Sequence, residues 1–170
     1  LVVGDVDHER LVTLAKKYYG GWKRGTAKIE IPKEPPQTEE KKVDLTWKGQ
    51  TLPYLYLGYH VPGFDAKSRD VAALDILAEA AFSETSPLYR KLVLAERKVE
   101  MIQAGAAFRR DPTLMSILAR LISENHFDAV RDEIYRTLDD AAKNPIEPDR
   151  LAAIKSHIRY AFAMGMNTPD

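Results

Sequence analysis

Cysteine is absent from all 170 residues of the sequence. Disulfide frameworks, thiolate zinc sites, iron–sulfur clusters and cysteine nucleophiles are therefore excluded. Because cysteine-free chains suit both reducing and oxidising compartments, this absence leaves both the cytosol and the periplasm open.

An excess of charge of one sign is also lacking, since 25 basic residues balance 25 acidic residues. Nucleic acid binds to a basic field, so the composition argues against nucleic acid as a partner. No apolar run approaches the roughly 18 residues of a membrane span, and we predict no such span. The first residue is Leu1 rather than methionine, and we expect the chain to be a piece of a longer protein.

What the sequence does contain is enough apolar material for a folded core, with 45% apolar residues. The first residues, 1–6, are apolar and predict a short strand. Asp7 is placed to cap a helix that ends at Gly20-Gly21. Residues 25–42 hold three prolines among lysines and glutamates, which is typical of a solvated linker. We place a domain boundary near residue 36, and thus expect two segments, 1–36 and 37–170.

Beyond the linker, two strands and two helical segments are predicted. Residues 43–47 alternate apolar with polar, and residues 48–50 turn the chain toward a second strand at 52–61, so that the two form a hairpin. Ser68 is placed to cap a helix with one apolar face, formed by Val71, Leu74, Leu77, Ala78 and Ala81. Ser86-Pro87 supplies the cap and first residue of the next helical segment.

The remainder predicts a further strand pair and two long helices. Residues 101–108 and 114–122 read as strands joined by the turn at 109–112. A helix starts near Asn125 or Asp128 and ends at Asn144-Pro145, and another starts at Pro148. This order predicts an α+β two-layer sandwich, with helices on one face of a largely antiparallel sheet.

Histidine occurs four times, but never as a local metal-binding pair. His8, His60, His126 and His157 include no two residues four apart, so no helix carries two histidines in zinc-ligand spacing. We expect His8, His126 and His157 to face solvent. A Gly-x-Ser-x-Gly nucleophile motif and a glycine-rich phosphate loop are also missing. The residues themselves therefore provide no catalytic group and no metal ligand.

A cluster of aromatic residues in the strand at 52–61 is the remaining candidate site. Tyr54 and Tyr56 share one face of that strand, while Tyr59 points to the other face, next to His60. A ligand-binding groove is one interpretation, and packing against helices explains at least one of these tyrosines without a ligand. Residues 109–110, Arg-Arg, are interpreted as a charged hairpin tip rather than an anion clamp.

Several segments, taken in order, resemble one family. They are Leu1-Val2-Val3-Gly4-Asp5-Val6-Asp7 with Tyr18-Tyr19-Gly20, Pro53-Tyr54-Leu55-Tyr56-Leu57-Gly58-Tyr59, Ser86-Pro87-Leu88-Tyr89-Arg90-Lys91-Leu92-Val93, and Asp111-Pro112-Thr113-Leu114. Together they are similar to the pitrilysin or insulinase type of zinc metallopeptidase, which includes the mitochondrial processing peptidase. The resemblance covers nearly the whole chain.

The resemblance implies a non-catalytic second domain of a zinc-bearing half. Residues 1–36 would be the last strand, the last helix and the linker of the preceding catalytic domain, and 37–170 would be the second domain, incomplete at its end. The family's inverted His-x-x-Glu-His zinc helix has no counterpart here, so zinc is expected in the missing upstream domain. Val93 and Glu100 stand where the family's other half has a substrate-holding arginine and tyrosine. No catalytic or metal-binding residue is therefore carried over, and the substrate-binding residues stay unassigned.

The partners implied by the resemblance are the upstream catalytic domain, a second half or partner subunit of the same family, and an unfolded peptide enclosed between the halves. Two alternatives remain open: a scaffold subunit or inactive homologue of the same fold, and a free-standing α+β ligand-binding module. For a bacterial member of the family, the periplasm is favoured over the cytoplasm. We also expect the chain to self-associate, because residues 1–24 are too few to bury their own apolar faces.

Overall fold

In a computed structural model, the chain is described over residues 1–27, 30, 32, 35–107 and 109–166. Contacts between Cα atoms divide it into two units. The first consists of Leu1–Thr46 with Met166–Asp170, and the second of Trp47–Gly165. Five residues of the predicted linker, Lys28, Ile29, Ile31, Lys33 and Glu34, lie outside the described residues, as does Phe108 at the end of a predicted strand.

The first unit contains one helix, α1 (His8–Tyr19), within its described part. Asp7 caps the helix as predicted, because its Oδ1 accepts a hydrogen bond of 2.7 Å from the backbone N–H of Arg10. The backbone N–H of Gly20 donates to the carbonyl of Lys16 and closes the last turn. None of the residues of α1 is buried.

Two predicted strands are wrong. Residues 1–6 and residues 43–47 are described, exposed and without strand geometry. A strand is stable only when a neighbouring strand pairs with its backbone, and neither segment has such a neighbour in the described part of the chain. The hairpin predicted for 43–47 and 52–61 is therefore absent.

The second unit holds a three-stranded antiparallel sheet: β1 (Tyr54–Val61), β2 (Val99–Ala106) and β3 (Thr113–Leu121). The spatial order is β1-β3-β2, so β3 pairs on both sides. All three correspond to predicted strands, with ends shifted by one or two residues. The register of β2 slips between Val99 and Met101, which leaves Glu100 as a bulge.

Helices cover one face of this sheet. They are α2 (Asp70–Phe82), α3 (Pro87–Tyr89), which continues as a π-helical turn (Arg90–Ala95), α4 (Phe127–Lys143), preceded by a 3-10 turn (Glu124–His126), and α5 (Pro148–Gly165). The α+β two-layer architecture with helices on one face is thus confirmed.

The core lies between the sheet and α2, α3 and α4. Its buried members are Ala81, Phe82, Leu88, Leu92, Val99, Ile102, Ile117, Ala119, Leu121, Val130 and Ile134. Removal of these apolar side chains from water is the main stabilising contribution to the unit. The apolar stripe predicted for α5 is used in part, since Ile154 is buried and Phe162 is exposed.

The end of α3 differs from the regular helix that its sequence predicts. Ser86 and Pro87 start α3 as expected, and the Ser86 Oγ accepts from the Tyr89 N–H at 3.1 Å. After that turn the backbone widens, and the N–H of Glu96 donates to the carbonyl of Lys91 at 2.8 Å. Arg97 then takes a positive φ of 50°, which turns the chain into β2.

Candidate functional site

The sheet face opposite the helices is exposed, and it holds the candidate site residues of the second unit. Along β1, the side chains of Leu55 and Leu57 pack on the core, while Tyr54 and Tyr56 are 50% and 58% exposed. This confirms that Tyr54 and Tyr56 share a face of the strand, and that it is not the face covered by helices. The alternative interpretation, in which packing against helices explains at least one of the three tyrosines, does not apply to Tyr54 or Tyr56. Tyr59 points to the helical face, opposite the buried Met115, and is 39% exposed.

The same alternation on β3 places four further residues on this open face. Met115, Ile117, Ala119 and Leu121 are buried on the helical side. The intervening residues, Leu114, Ser116, Leu118 and Arg120, pair in register with His60, Gly58, Tyr56 and Tyr54 of β1. The open face is thus defined by these eight residues with Met101, Gln103 and Gly105 of β2.

Polar side chains on the open face contact one another. The hydroxyl groups of Tyr56 and Ser116 are hydrogen-bonded at 2.5 Å. The guanidinium of Arg120 lies 5.7 Å from the centre of the Tyr54 ring, and its Nε lies 3.0 Å from a carboxylate oxygen of Glu100. Glu100 therefore neutralises the strongest positive charge on this face.

A hollow of about 330 Å³ lies on the open face. Its lining consists of Tyr56, Gln103, Ala104, Gly105, Ser116 and Leu118. One aromatic, one aliphatic and one amide side chain lie beside a floor of small residues in this shallow hollow.

The outer edges of the sheet are a second feature of this region. β1 and β2 each pair with β3 and, within the described residues, with no further strand. Each outer edge therefore presents backbone N–H and C=O groups to which an extended chain can add as another strand.

A larger groove, about 710 Å³, lies on the helical layer. Its floor is apolar and includes Ile76, Leu77, Leu88, Ala141 and Pro145. Charged side chains surround it, and in the groove the Glu133 carboxylate accepts from both Lys91 and Arg136 at 2.6 Å. Because the two cations share one half-buried carboxylate at hydrogen-bond distance, this cluster is a structural network.

The four histidines lie apart from one another. His8 is exposed in α1, His60 is exposed on the open sheet face, and His126 is half-buried in the 3-10 turn, where an exposed ring was expected. His157 is exposed as expected, and its Nδ1 also lies 3.0 Å from the Glu79 carboxylate. Within the described ranges, no group of three or more histidines or carboxylates is placed to hold a metal ion.

The other residues considered in the sequence analysis lie in the turn before β3, against the core and at the bulge of β2. Residues 109 and 110 are exposed in the turn before β3, and the carbonyl of Arg109 accepts from the Phe64 N–H at 2.7 Å. Val93 packs against the core. Glu100 is the bulge residue that pairs with Arg120.

Asp75, Glu96 and Arg131 have shifted pKa values, and none of these three residues lies in the hollow. Burial raises the pKa of Asp75 on α2. The hydrogen bond from Lys98 lowers the pKa of Glu96. The hydrogen bond to Asp132 raises the pKa of the Arg131 guanidinium. These shifts follow from local packing and ion pairs.

Sequence reasoning missed Gln103, Gly105, Ser116 and Leu118 as members of the site. The available signal was a glycine inside two of the predicted strands, since Gly58 and Gly105 interrupt otherwise good strand sequences. Their proximity depends on the pairing of β1 and β2 with β3, and the sequence contained no turn that revealed the pairing of β1.

The known proteins to which this chain is similar are peptidases. The family model described as Peptidase M16 inactive domain matches residues 1–158. The zinc protease PqqE of Helicobacter pylori (strain ATCC 700392 / 26695) is 27% identical over 172 residues, an alignment that covers 99% of this chain and 38% of that protein.

Solved structures agree with the sequence comparison. A crystal structure of a protease from Helicobacter pylori superimposes with a TM-score of 0.77 at 26% identity and covers 98% of this chain and 40% of its own. A putative M16-like peptidase from Alicyclobacillus acidocaldarius shares the fold, with a TM-score of 0.58, 20% identity and coverage of 69% and 28%. The chain therefore spans about two fifths of the length of the Helicobacter pylori proteins it matches.

Proposed function

Because this chain belongs to the M16 peptidase family, whose inactive domain it matches over residues 1–158, we propose that it is the non-catalytic, substrate-enclosing domain of a zinc-dependent peptidase. In this role its open sheet face lines a chamber that holds unfolded peptide. The reaction itself belongs to another part of the enzyme.

The observation that carries this proposal is the asymmetry of the sheet. Helices cover one face, on which Ile117 and Ala119 have 0% exposure. The other face leaves aromatic, aliphatic and amide side chains in solvent, including Tyr54 and Tyr56. A sheet face of this composition is suited to contact peptide side chains of varied sequence.

The free edges of β1 and β2 support the same role. Backbone hydrogen bonds to an extended chain are independent of its side chains, so an edge binds peptides with little sequence preference. An exposed face with unpaired edges is therefore an arrangement for holding unfolded chains while catalysis takes place elsewhere.

Zinc does not fit the described residues of this chain. The four histidines are dispersed, and no cluster of carboxylates accompanies any of them. We place the zinc and its inverted motif in an upstream catalytic domain, to which residues 1–36 belong, with residues 37–170 as the second domain. A second half or partner subunit of the same family would close the chamber.

Site-specific photocrosslinking tests the proposed function. p-Benzoylphenylalanine is placed at Tyr56 on the open face or, as the matched control, at Asp139 on the solvent side of α4. Each chain is irradiated with a fluorescein-labelled synthetic peptide that lacks secondary structure. We expect labelling at position 56 and background labelling at position 139. Equal labelling at both positions, or none at either, would contradict the proposal.

Metal analysis tests the assignment of zinc to another domain. After loading with zinc and dialysis against a mild chelator, we expect the chain to retain no zinc and to hydrolyse no peptide. Retention of about one zinc per chain would mean that residues distant in sequence form a site after all.

A further inference from the structure

A row of small residues crosses the open face at right angles to the strands. Gly58 of β1 and Gly105 of β2 both pair with Ser116 of β3 in the register of the sheet. Because residues opposite one another in neighbouring strands point to the same face, this row carries only one short side chain across three strands. Glycine inside a strand weakens it, and its occurrence on both sides of one serine marks a place of close approach.

The row forms the floor of the 330 Å³ hollow at its β2 end. At the β1 end, the Tyr56 ring approaches Gly58, since a Cβ built there would lie 3.6 Å from Tyr56 Cε1. The Tyr56 hydroxyl is held on Ser116. At the β2 end the floor is bare, because a Cβ built on Gly105 meets no atom within 4 Å.

The lining of the hollow determines what kind of group fits there. None of its six residues is charged, and the nearby Arg120 is neutralised by Glu100. A charged side chain would lose its hydration without gaining a partner, so the hollow complements an uncharged one. The Tyr56 ring and the Leu118 side chain offer an apolar wall, and the Gln103 amide adds a polar group.

We propose that this hollow is a subsite for one aromatic side chain of the bound peptide. The ring lies flat over Gly105 and Ser116, with the Tyr56 ring at its edge and Leu118 at its side. The subsite rests on the proposed function of the open face, and it adds a preference for aromatic residues to a surface that otherwise accepts any sequence.

Three synthetic peptides probe the preference directly. They share one glycine- and serine-rich sequence and differ at a single central position, which is Phe, Ala or Glu. Fluorescence anisotropy of the labelled peptides with the full chain measures each Kd. Burial of a phenyl ring in the subsite should strengthen binding of the Phe peptide about tenfold over the Ala peptide, and the Glu peptide should bind no better than the Ala peptide.

The variant Gly105→Val fills the floor of the hollow. The added side chain enters open space and valine favours strands, so the Tm should stay the same or rise while the Phe preference is lost. Gly58→Ala is the matched control, a glycine of the same row that lies outside the lining. Its Cβ would lie 3.1 Å from Leu114 Cδ1, the end of a flexible side chain outside the lining, and in ordinary contact with the Tyr56 ring at 3.6 Å. This variant should keep the Phe preference.

The outcomes separate this inference from the proposed function. If all three peptides bind with the same Kd, or if Gly105→Val keeps the preference, the subsite is wrong while the binding face stands. If none of the peptides binds, the binding face itself fails. Should Gly105→Val not fold, Leu118→Ala replaces it, and that variant must reduce the Phe preference without weakening the Ala peptide.

Discussion

Ser86 is the buried polar residue on which the start of α3 depends. Its side chain is fully buried, and its Oγ accepts from the Tyr89 N–H. Ser86→Ala leaves that N–H without a partner away from water, so we expect the free energy of unfolding to fall by about 1–2 kcal/mol. Urea denaturation measures the change. Ser156→Ala, at an exposed position within α5, should change it by less than about 0.5 kcal/mol, and equal losses for both variants would refute the capping role.

Asp75 gives the second unit a pH dependence. Because burial raises the pKa of this carboxyl, the folded chain binds more protons than the unfolded chain between the two pKa values. The contribution of Asp75 to the stability of the folded chain is complete below the pKa that this carboxyl has in the unfolded chain. It is lost as the pH rises through the pKa of the folded chain. Asp75→Asn should remove this part of the pH dependence, as judged from urea midpoints over the acid range. Asp139→Asn, on the exposed side of α4, should retain the wild-type profile.

Single residues were predictable from sequence where the contact is local. The caps formed by Asp7 and Ser86 link residues three apart, so their motifs are visible in the sequence. The bond from Arg150 to the Ala80 carbonyl and the one between Tyr56 and Ser116 join residues distant in sequence. No local pattern encodes such pairs. Tyr56 was therefore identified from the sequence, whereas Gln103, Gly105 and Ser116 were found only from the fold.

Among the elements, β3 is central to the second unit because it pairs with a strand on each side. One of its faces contacts the core, and the other belongs to the open face. Because the side chains of β3 alternate between its two faces, we predict that substitutions at two of its apolar residues have unequal effects on stability. Ile117 has 0% exposure and Leu114 has 36%. Ile117→Ala leaves a cavity in the core and should cost about 2–5 kcal/mol of unfolding free energy, whereas Leu114→Ala should cost less than about 1 kcal/mol. Comparable losses in urea denaturation would mean that both faces of β3 are covered.

The elements also show which structures the sequence patterns predict correctly and which they do not. The helices were predictable because a helix satisfies its own backbone hydrogen bonds and shows its apolar face every three or four residues. Residues 43–47 have equally good strand alternation but no partner strand in the described part of the chain. Alternating apolar and polar residues show that a segment is compatible with a sheet. The strand forms only when a second strand is available to pair with it.

At the scale of the whole molecule, the apolar side of α1 is only partly buried, with Leu11 and Val12 half-buried. Leu14 and Tyr18 are 41% and 65% exposed, and no residue of α1 is buried. We expect the chain to form a two-fold dimer at high micromolar concentration, since an exposed apolar helix face favours pairing between copies. A version that starts at Glu39 should remain monomeric in sedimentation experiments. If the full chain is also a monomer, the prediction of self-association is wrong.

The π-helical turn at Arg90–Ala95 makes this connection unusually tolerant of a change in chain length. A π turn holds one residue more than an α turn, so deleting Leu94, which is exposed, converts it to an ordinary turn while Leu92 and Val99 stay in place. Deleting the exposed Asp132 from α4 instead rotates Ile134, Leu138 and every later residue of that helix by about 100°, which turns these two side chains away from the core. We expect the first deletion variant to keep a cooperative thermal transition and the second to lose it. Insertions and deletions among relatives would then concentrate at this turn.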